Sequence, residues 1–182
     1  MTHCRLIGAL TVVAVIVAAC GSQPKSHPTV APSGDAAAAK QVPAGRTALQ
    51  QLQFVAKTID GQDFNGESLL GMPAVLWFWA PWCPTCQGEA PMVGRIAASH
   101  PAVAFVGVGG LDQVSTMQEF VDKYPVKKFT QLADTDGSVW AKFDVTEQPA
   151  FAFIRPDGSI DVVAGRMSQA ELTRRVTALT NR

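Results

Sequence analysis

Apolar and polar positions along this chain fall into blocks whose period changes from segment to segment. Residues 54–59, the pair Asp60-Gly61 and residues 62–64 read as a small hairpin with a glycine-containing turn. After Pro73 comes the run Ala74-Val75-Leu76-Trp77-Phe78-Trp79, apolar without a break. Such a run suits a central strand covered on both faces. Residues 103–108 repeat the signature. Between them, residues 83–99 read as a helix with Pro84 in its first turn, where a missing N–H costs nothing, and with Pro91 inside it as a kink point. His100, before Pro101, should end that helix.

The period returns to helical over residues 114–123, where Val114, Met117, Phe120 and Val121 share a face. Residues 129–132 predict a short strand and 138–143 a short helix. The turn Arg155-Pro156-Asp157-Gly158 joins strands 150–154 and 159–164 as an antiparallel hairpin. Ser168, with Glu171 three residues on, has the spacing of a capping box opening a last helix to about Leu179. Parallel strands joined by helices, then a hairpin and a final helix, predict an α/β fold: a mixed central sheet with helices on both faces and an N-terminal β-hairpin extension.

The first 46 residues follow other rules. Arg5 precedes an apolar run over residues 6–19, the form of a secretory signal peptide. A run of about 14 residues at 1.5 Å rise covers roughly 21 Å, short of the ~30 Å hydrocarbon core, so cleavage is preferred over spanning. The junction Val17-Ala18-Ala19-Cys20 resembles a bacterial lipobox. That predicts a signal peptide over 1–19 and a diacylglycerol thioether on Cys20, which would hold the chain on the extracytoplasmic face of the cell membrane. Residues 20–46 are rich in Ala, Pro, Ser and Gly and hold little that could be buried, so they are expected to form a disordered tether. The folded domain is expected over 47–182.

Composition narrows the function. Of 182 residues, 47% are hydrophobic and 16% charged, enough apolar material for one core. Net charge is zero, and there is no basic run of the kind that binds phosphate backbones, so nucleic acid is not expected as a partner. Of four cysteines, Cys4 lies in the expected signal peptide and Cys20 at the expected lipid site, leaving Cys83 and Cys86. Export implies a compartment in which a disulfide persists.

Trp82-Cys83-Pro84-Thr85-Cys86 lies between a buried strand and a helix, where C-x-x-C reads as redox-active. At the helix start Cys83 faces unpaired N–H groups and the positive end of the helix dipole, both of which favour thiolate over thiol. Cys83 is therefore the expected nucleophile. Cys86, one turn further in and better shielded, is the expected resolving thiol. Pro84 and Thr85 hold the loop between them. As a structural staple the ring would be poor, because so short a loop removes only about 2 kcal/mol of chain entropy. A zinc knuckle lacks ligands, since His100 is the only other Cys or His in the expected domain. A c-type haem site needs His where Gln87 stands. Neither a metal nor a cofactor is expected.

The string Trp79-Ala80-Pro81-Trp82-Cys83-Pro84-Thr85-Cys86, followed by Glu89 and Pro91, resembles the thioredoxin-fold family of TlpA, ResA and DsbE. The resemblance covers roughly residues 50–182 and implies a thioredoxin fold. It also implies that Glu89 carries the proton of Cys86, against the plainer reading of Glu89 as a first-turn acid favoured by the helix dipole. Thioredoxin itself has an acid on the preceding strand, where this chain has Trp77. The resemblance further makes Pro149, in Glu147-Gln148-Pro149, a cis-proline whose neighbour Gln148 offers its backbone to an incoming polypeptide. Trp77, Phe78 and Trp79 read as core, and Trp82 as an exposed substrate contact.

These features together imply an extracytoplasmic thiol-disulfide oxidoreductase that forms disulfides in exported proteins. Its partners would be exported chains bearing thiols or disulfides and a membrane redox partner that recycles the pair. The same parts could run in reverse as a reductant of apocytochrome c cysteines in cytochrome c maturation. Potentials of related folds span roughly −270 to −120 mV, about 7 kcal/mol, and two residues between cysteines do not choose among them. A copper- or haem-handling lipoprotein using the thiols as ligands is the reading from another class.

Overall fold

The computed structural model describes residues 49–181; the expected signal peptide, Cys20 and the tether over 20–46 lie outside the described residues. After helical residues 49–52 comes a two-stranded antiparallel hairpin, β1 (Val55–Lys57) and β2 (Asp63–Asn65), turning at Gly61 with φ +85°. A positive φ at that corner is a conformation only glycine adopts without strain. A 3-10 turn over Gly66–Leu69 leads into the first central strand, β3 (Ala74–Trp79). There follow helix α1 (Pro84–Ser99), β4 (Ala104–Gly110), α2 (Val114–Lys123), β5 (Thr130–Asp134), the short α3 (Ser138–Lys142), β6 (Ala150–Ile154), β7 (Ile160–Ala164) and α4 (Gln169–Thr180).

Five strands form one mixed sheet in the order β5-β4-β3-β6-β7. β3, β4 and β5 run parallel, β6 pairs antiparallel with β3, and β7 pairs antiparallel with β6. β3 is thus central, and all six of its residues are buried, as its unbroken apolar run requires. Alternation along it divides the core. Val75, Trp77 and Trp79 face a layer with Val93 and Ile96 of α1, Met117 and Phe120 of α2, and Leu172 and Val176 of α4. Leu76 and Phe78 face the opposite layer, with Val139 and Trp140 of α3, Phe54 and Phe143. Helices therefore cover both faces, the thioredoxin arrangement.

Glycines in β4 make room for the tryptophans of β3 and α3. Trp77 pairs with Gly107 and Trp79 with Gly109 across the β3–β4 ladder. A methyl group on Gly109 would sit 2.9 Å from Trp79 Cζ2, and one on Gly110 would sit 2.7 Å from Trp140 Cε2. Trp79 stacks on Phe120 at 4.2 Å between ring centroids and donates its indole N–H to Gln131 Oε1 at 3.2 Å. The hairpin extension reaches the β5 edge through Ile59 N–H to Gln131 O at 2.9 Å and a bridge from Thr58 to Leu132, shielding an otherwise open strand.

Two local expectations are corrected. Val114 stands in the first turn of α2 and is 41% exposed, so only Met117, Phe120 and Val121 form the buried face. Ser168 caps α4 by accepting from Glu171 N–H at 3.2 Å, but the Glu171 carboxylate bonds Arg174 and Arg175 outward, so the reciprocal half of the capping box is missing. Pro91 lies within one continuous helix, and His100 closes it. Among the described residues no helix is long and apolar enough to cross a membrane.

Candidate active site

The C-terminal end of β3 runs through Ala80-Pro81-Trp82 straight into α1, so Cys83 becomes the N-cap of that helix with Pro84 at the next position. An N-cap side chain normally accepts a hydrogen bond from an unpaired first-turn N–H. Here the acceptor is sulfur: Cys86 N–H donates to Cys83 Sγ at 3.2 Å, and negative charge on that sulfur would strengthen the bond. The Cys86 thiol is turned to the same atom, with the two sulfurs 2.6 Å apart and both cysteines free. Cys86 is wholly buried and Cys83 exposes 4% of its surface.

Burial raises the Cys86 thiol far above an ordinary cysteine, assisted by its hydrogen bond to Cys83 and by the negative charges of Cys83 and Glu89. The Cys86 thiol therefore stays protonated at neutral pH. Glu89, one helical turn on, is 4% exposed on the same buried face. Its Oε1 accepts from Met167 N–H at 2.7 Å, while Oε2 is buried without a partner. Burial raises its carboxyl above the usual range, and the Met167 N–H, the Arg166 charge and the nearby Trp77 indole partly oppose that rise. The Trp77 N–H itself is buried and completes no hydrogen bond. An acid on α1 and an indole on β3 thus share the ground beneath the cysteines.

The Gln148–Pro149 peptide bond is cis. Pro149 is buried, its carbonyl accepts from Gly165 N–H at 2.8 Å, and Gln148 next to it is half-buried. Trp82, Pro84 and Thr85 are exposed, and Trp82 shows 52% of its surface. The Trp82 indole donates to Leu111 O at 3.3 Å. Leu111 holds φ +61°, a strained conformation for a bulky side chain, and is itself half exposed. Sequence reasoning did not single out Leu111, Gly165 or Met167. The last two act through backbone N–H groups, which leave no mark in residue type. Asp134, the other buried acid, accepts from Ser138 Oγ, Val139 N–H and Trp140 N–H and serves as the cap of α3.

A groove of about 710 Å³ between the hairpin and β5, lined by Thr58, Phe64, Val121 and Lys128 among others, lies apart from the cysteines.

Comparison with known proteins agrees with this arrangement. The AhpC/TSA family model matches residues 47–163. The structure of MTB DsbF (Mycobacterium tuberculosis) in its mixed oxidized and reduced forms superposes with a TM-score of 0.71 at 77% identity, covering 76% of this chain and 99% of that one. A secreted M. tuberculosis disulfide oxidoreductase homologous to E. coli DsbE gives a TM-score of 0.68 at 52% identity, over 71% of this chain and 98% of the other. Soluble secreted antigen MPT53 of M. tuberculosis H37Rv is 51% identical over 135 residues, 72% of this chain and 78% of that protein. On these matches the chain belongs to the AhpC/TSA family of thioredoxin-fold proteins, as a thiol-disulfide oxidoreductase related to DsbF and MPT53 and, more distantly, to ResA and DsbE.

Proposed function

We propose that this protein oxidises cysteine pairs in exported proteins, with Cys83 as the exchanging sulfur, Cys86 as the leaving and resolving sulfur, and Glu89 as their proton partner. The observation that carries the reading is the pairing of one barely reachable sulfur with a sealed one, above a buried acid whose second oxygen has no partner. In the oxidised enzyme a substrate thiolate attacks Cys83 Sγ. A substrate–Cys83 disulfide forms, the Cys83–Cys86 bond breaks, and Cys86 leaves with the electron pair and takes a proton from Glu89. A second substrate thiolate then attacks the substrate sulfur of the mixed disulfide and releases Cys83 as thiolate. The substrate loses two electrons and the cysteine pair gains them. Burial suits Glu89 to this work, because a carboxyl held above its usual range still carries a proton where exposed glutamates have lost theirs.

Trp82, Pro84 and Thr85 present the apolar rim that a substrate crosses, and Gln148 with Pro149 presents backbone to an extended segment. The secreted relatives favour an extracytoplasmic site of action, with Cys20 acylated, residues 1–19 removed and residues 20–46 as the tether. A membrane redox partner would then reoxidise the pair.

The test is the equilibrium reduction potential of the protein against glutathione, together with trapping by Cys86→Ser. A potential well above that of thioredoxin, about −270 mV, and mixed disulfides on Cys83 are the expected results. A potential at or below thioredoxin's would reverse the direction to reduction, the reaction apocytochrome c cysteines need. Adducts that collect on Cys86 in a Cys83→Ser variant, and not on Cys83, would exchange the two roles.

A further inference from the structure

We propose that the loop Gly165-Arg166-Met167 is a clasp that fixes the proton carrier and the substrate-side proline loop as one unit, with Arg166 as a positioning residue for Glu89. The proposal rests on the reading of Glu89 as proton partner of Cys86. Three consecutive residues, between β7 and α4, reach both halves of the site. Gly165 N–H donates to Pro149 O at 2.8 Å, and two residues on Met167 N–H donates to Glu89 Oε1 at 2.7 Å. Glu89 is 78 residues from Met167 in sequence and belongs to α1, whereas Pro149 opens β6. No other backbone segment described above bonds both.

The clasp is anchored at one end by a buried side chain and turns at the other through a glycine. Met167 is buried in the layer of α1 and α4, 6% exposed, which fixes its N–H in place. Gly165 has φ +87°, the left-handed region, and a methyl group there would meet no atom within 4 Å. The position is thus demanded by conformation and not by space. Arg166 lies between them with an exposed side chain. The groups that act on Glu89 are Cys86 from the start of α1, the Trp77 indole from β3, and, from the clasp, the Met167 N–H that bonds it and the charge of Arg166, the residue next to that N–H. Arg166 is the one cation among them, so it favours the carboxylate that the Met167 N–H grips. A gripped carboxylate holds the loop closed on Pro149. Protonation weakens Oε1 as an acceptor and loosens the grip; Glu89 gives its proton to Cys86 as a substrate is captured, so the loop tightens at capture and loosens when the proton returns from Cys86 on reoxidation of the pair.

The experiment uses the full-length reduced protein with oxidised glutathione. It follows release of the second glutathione, the step in which Cys86 attacks the mixed disulfide, as a function of pH. Glu89 must be ionised to accept the Cys86 proton, so the rate rises with pH through the Glu89 titration. Arg166→Gln should move that rise to higher pH and slow release about twofold to fivefold on the rising limb, the size of one exposed charge interaction. Arg166→Lys should restore it. Arg166→Gln should have no effect in a Glu89→Gln background. Gly165→Ala should both shift the profile and weaken capture of a peptide disulfide by the Cys86→Ser protein. A profile unchanged by Arg166→Gln but altered by Glu89→Gln overturns the clasp and leaves the role of Glu89 standing. A profile that Glu89→Gln does not alter removes both. Loss of peptide capture in Gly165→Ala without a shifted profile overturns the coupling.

Discussion

Replacing Glu89 by Gln should make this protein more stable near neutral pH while slowing its exchange. The carboxylate is buried to within 4% and has one oxygen without a partner, so its charged form is poorly solvated. Burial raises its folded-state pKa above the ordinary 4.5 despite the Met167 N–H, Arg166 and the Trp77 indole. A raised folded value means that the folded protein holds this proton more tightly than the unfolded chain. The associated stability is complete below the ordinary carboxylate value and is lost as pH rises through the folded one. Gln keeps an oxygen for Met167 N–H and carries no charge, so it escapes that loss. An unsatisfied buried polar atom costs roughly 1–3 kcal/mol. The Gln amide would face the Trp77 N–H donor to donor, and Arg166 screening already softens the cost, so a net gain of about 1 kcal/mol is expected. For a domain of this size that raises Tm by about 3–5 °C. Thermal unfolding followed by circular dichroism, on both proteins fully reduced, checks it from pH 4 to pH 8. The Gln advantage should be near zero at pH 4 and should grow with pH. Asp134, also raised, is common to both proteins and cancels in the difference, and the Cys86 thiol, raised far above an ordinary cysteine chiefly by burial and partly by Glu89 itself, stays protonated throughout this range. A difference that is flat with pH, or a Gln variant that loses ground as pH rises, would refute the account of Glu89 as a poorly solvated buried acid.

Two further substitutions probe the frame and the rim of the site. Gly94, on α1, packs against the Pro125 carbonyl so closely that a Cβ would overlap it, and backbone cannot swing aside. Gly94→Ala should cost about 1–3 kcal/mol, read as a lower urea midpoint with an unchanged m-value, and a neutral result would mean that the 125 segment yields freely. Trp82 is half exposed and bonded only through its indole to Leu111 O among the described contacts. Trp82→Ala should leave Tm within about 2 °C and raise KM for a peptide disulfide about threefold to tenfold, with kcat less affected. Loss of kcat alone would place Trp82 in support of Cys83 and not in substrate contact.

Much of the frame could be read in the order of residues, because burial on both faces forces an unbroken apolar run and a glycine-marked turn forces a hairpin. The central strand Ala74–Trp79 and the helix Val114–Lys123 fall where their patterns place them. The close cysteine pair could be read because its geometry is local: two sulfurs one helical turn apart, the first on an N-cap, meet whatever else the chain does. Val114 misled because a first-turn position can share the phase of a buried stripe and still project beyond the neighbouring layer. Tertiary structure alone decided how far Cys83 is reached, what holds Glu89 and what ties Pro149 down. Those contacts run from Met167 and Gly165 through backbone N–H groups that every residue but proline possesses. A chain writes its cores and turns in the kinds of side chain it carries, but the hand that grips a buried acid from 78 residues away is main chain, and only folding brings it there.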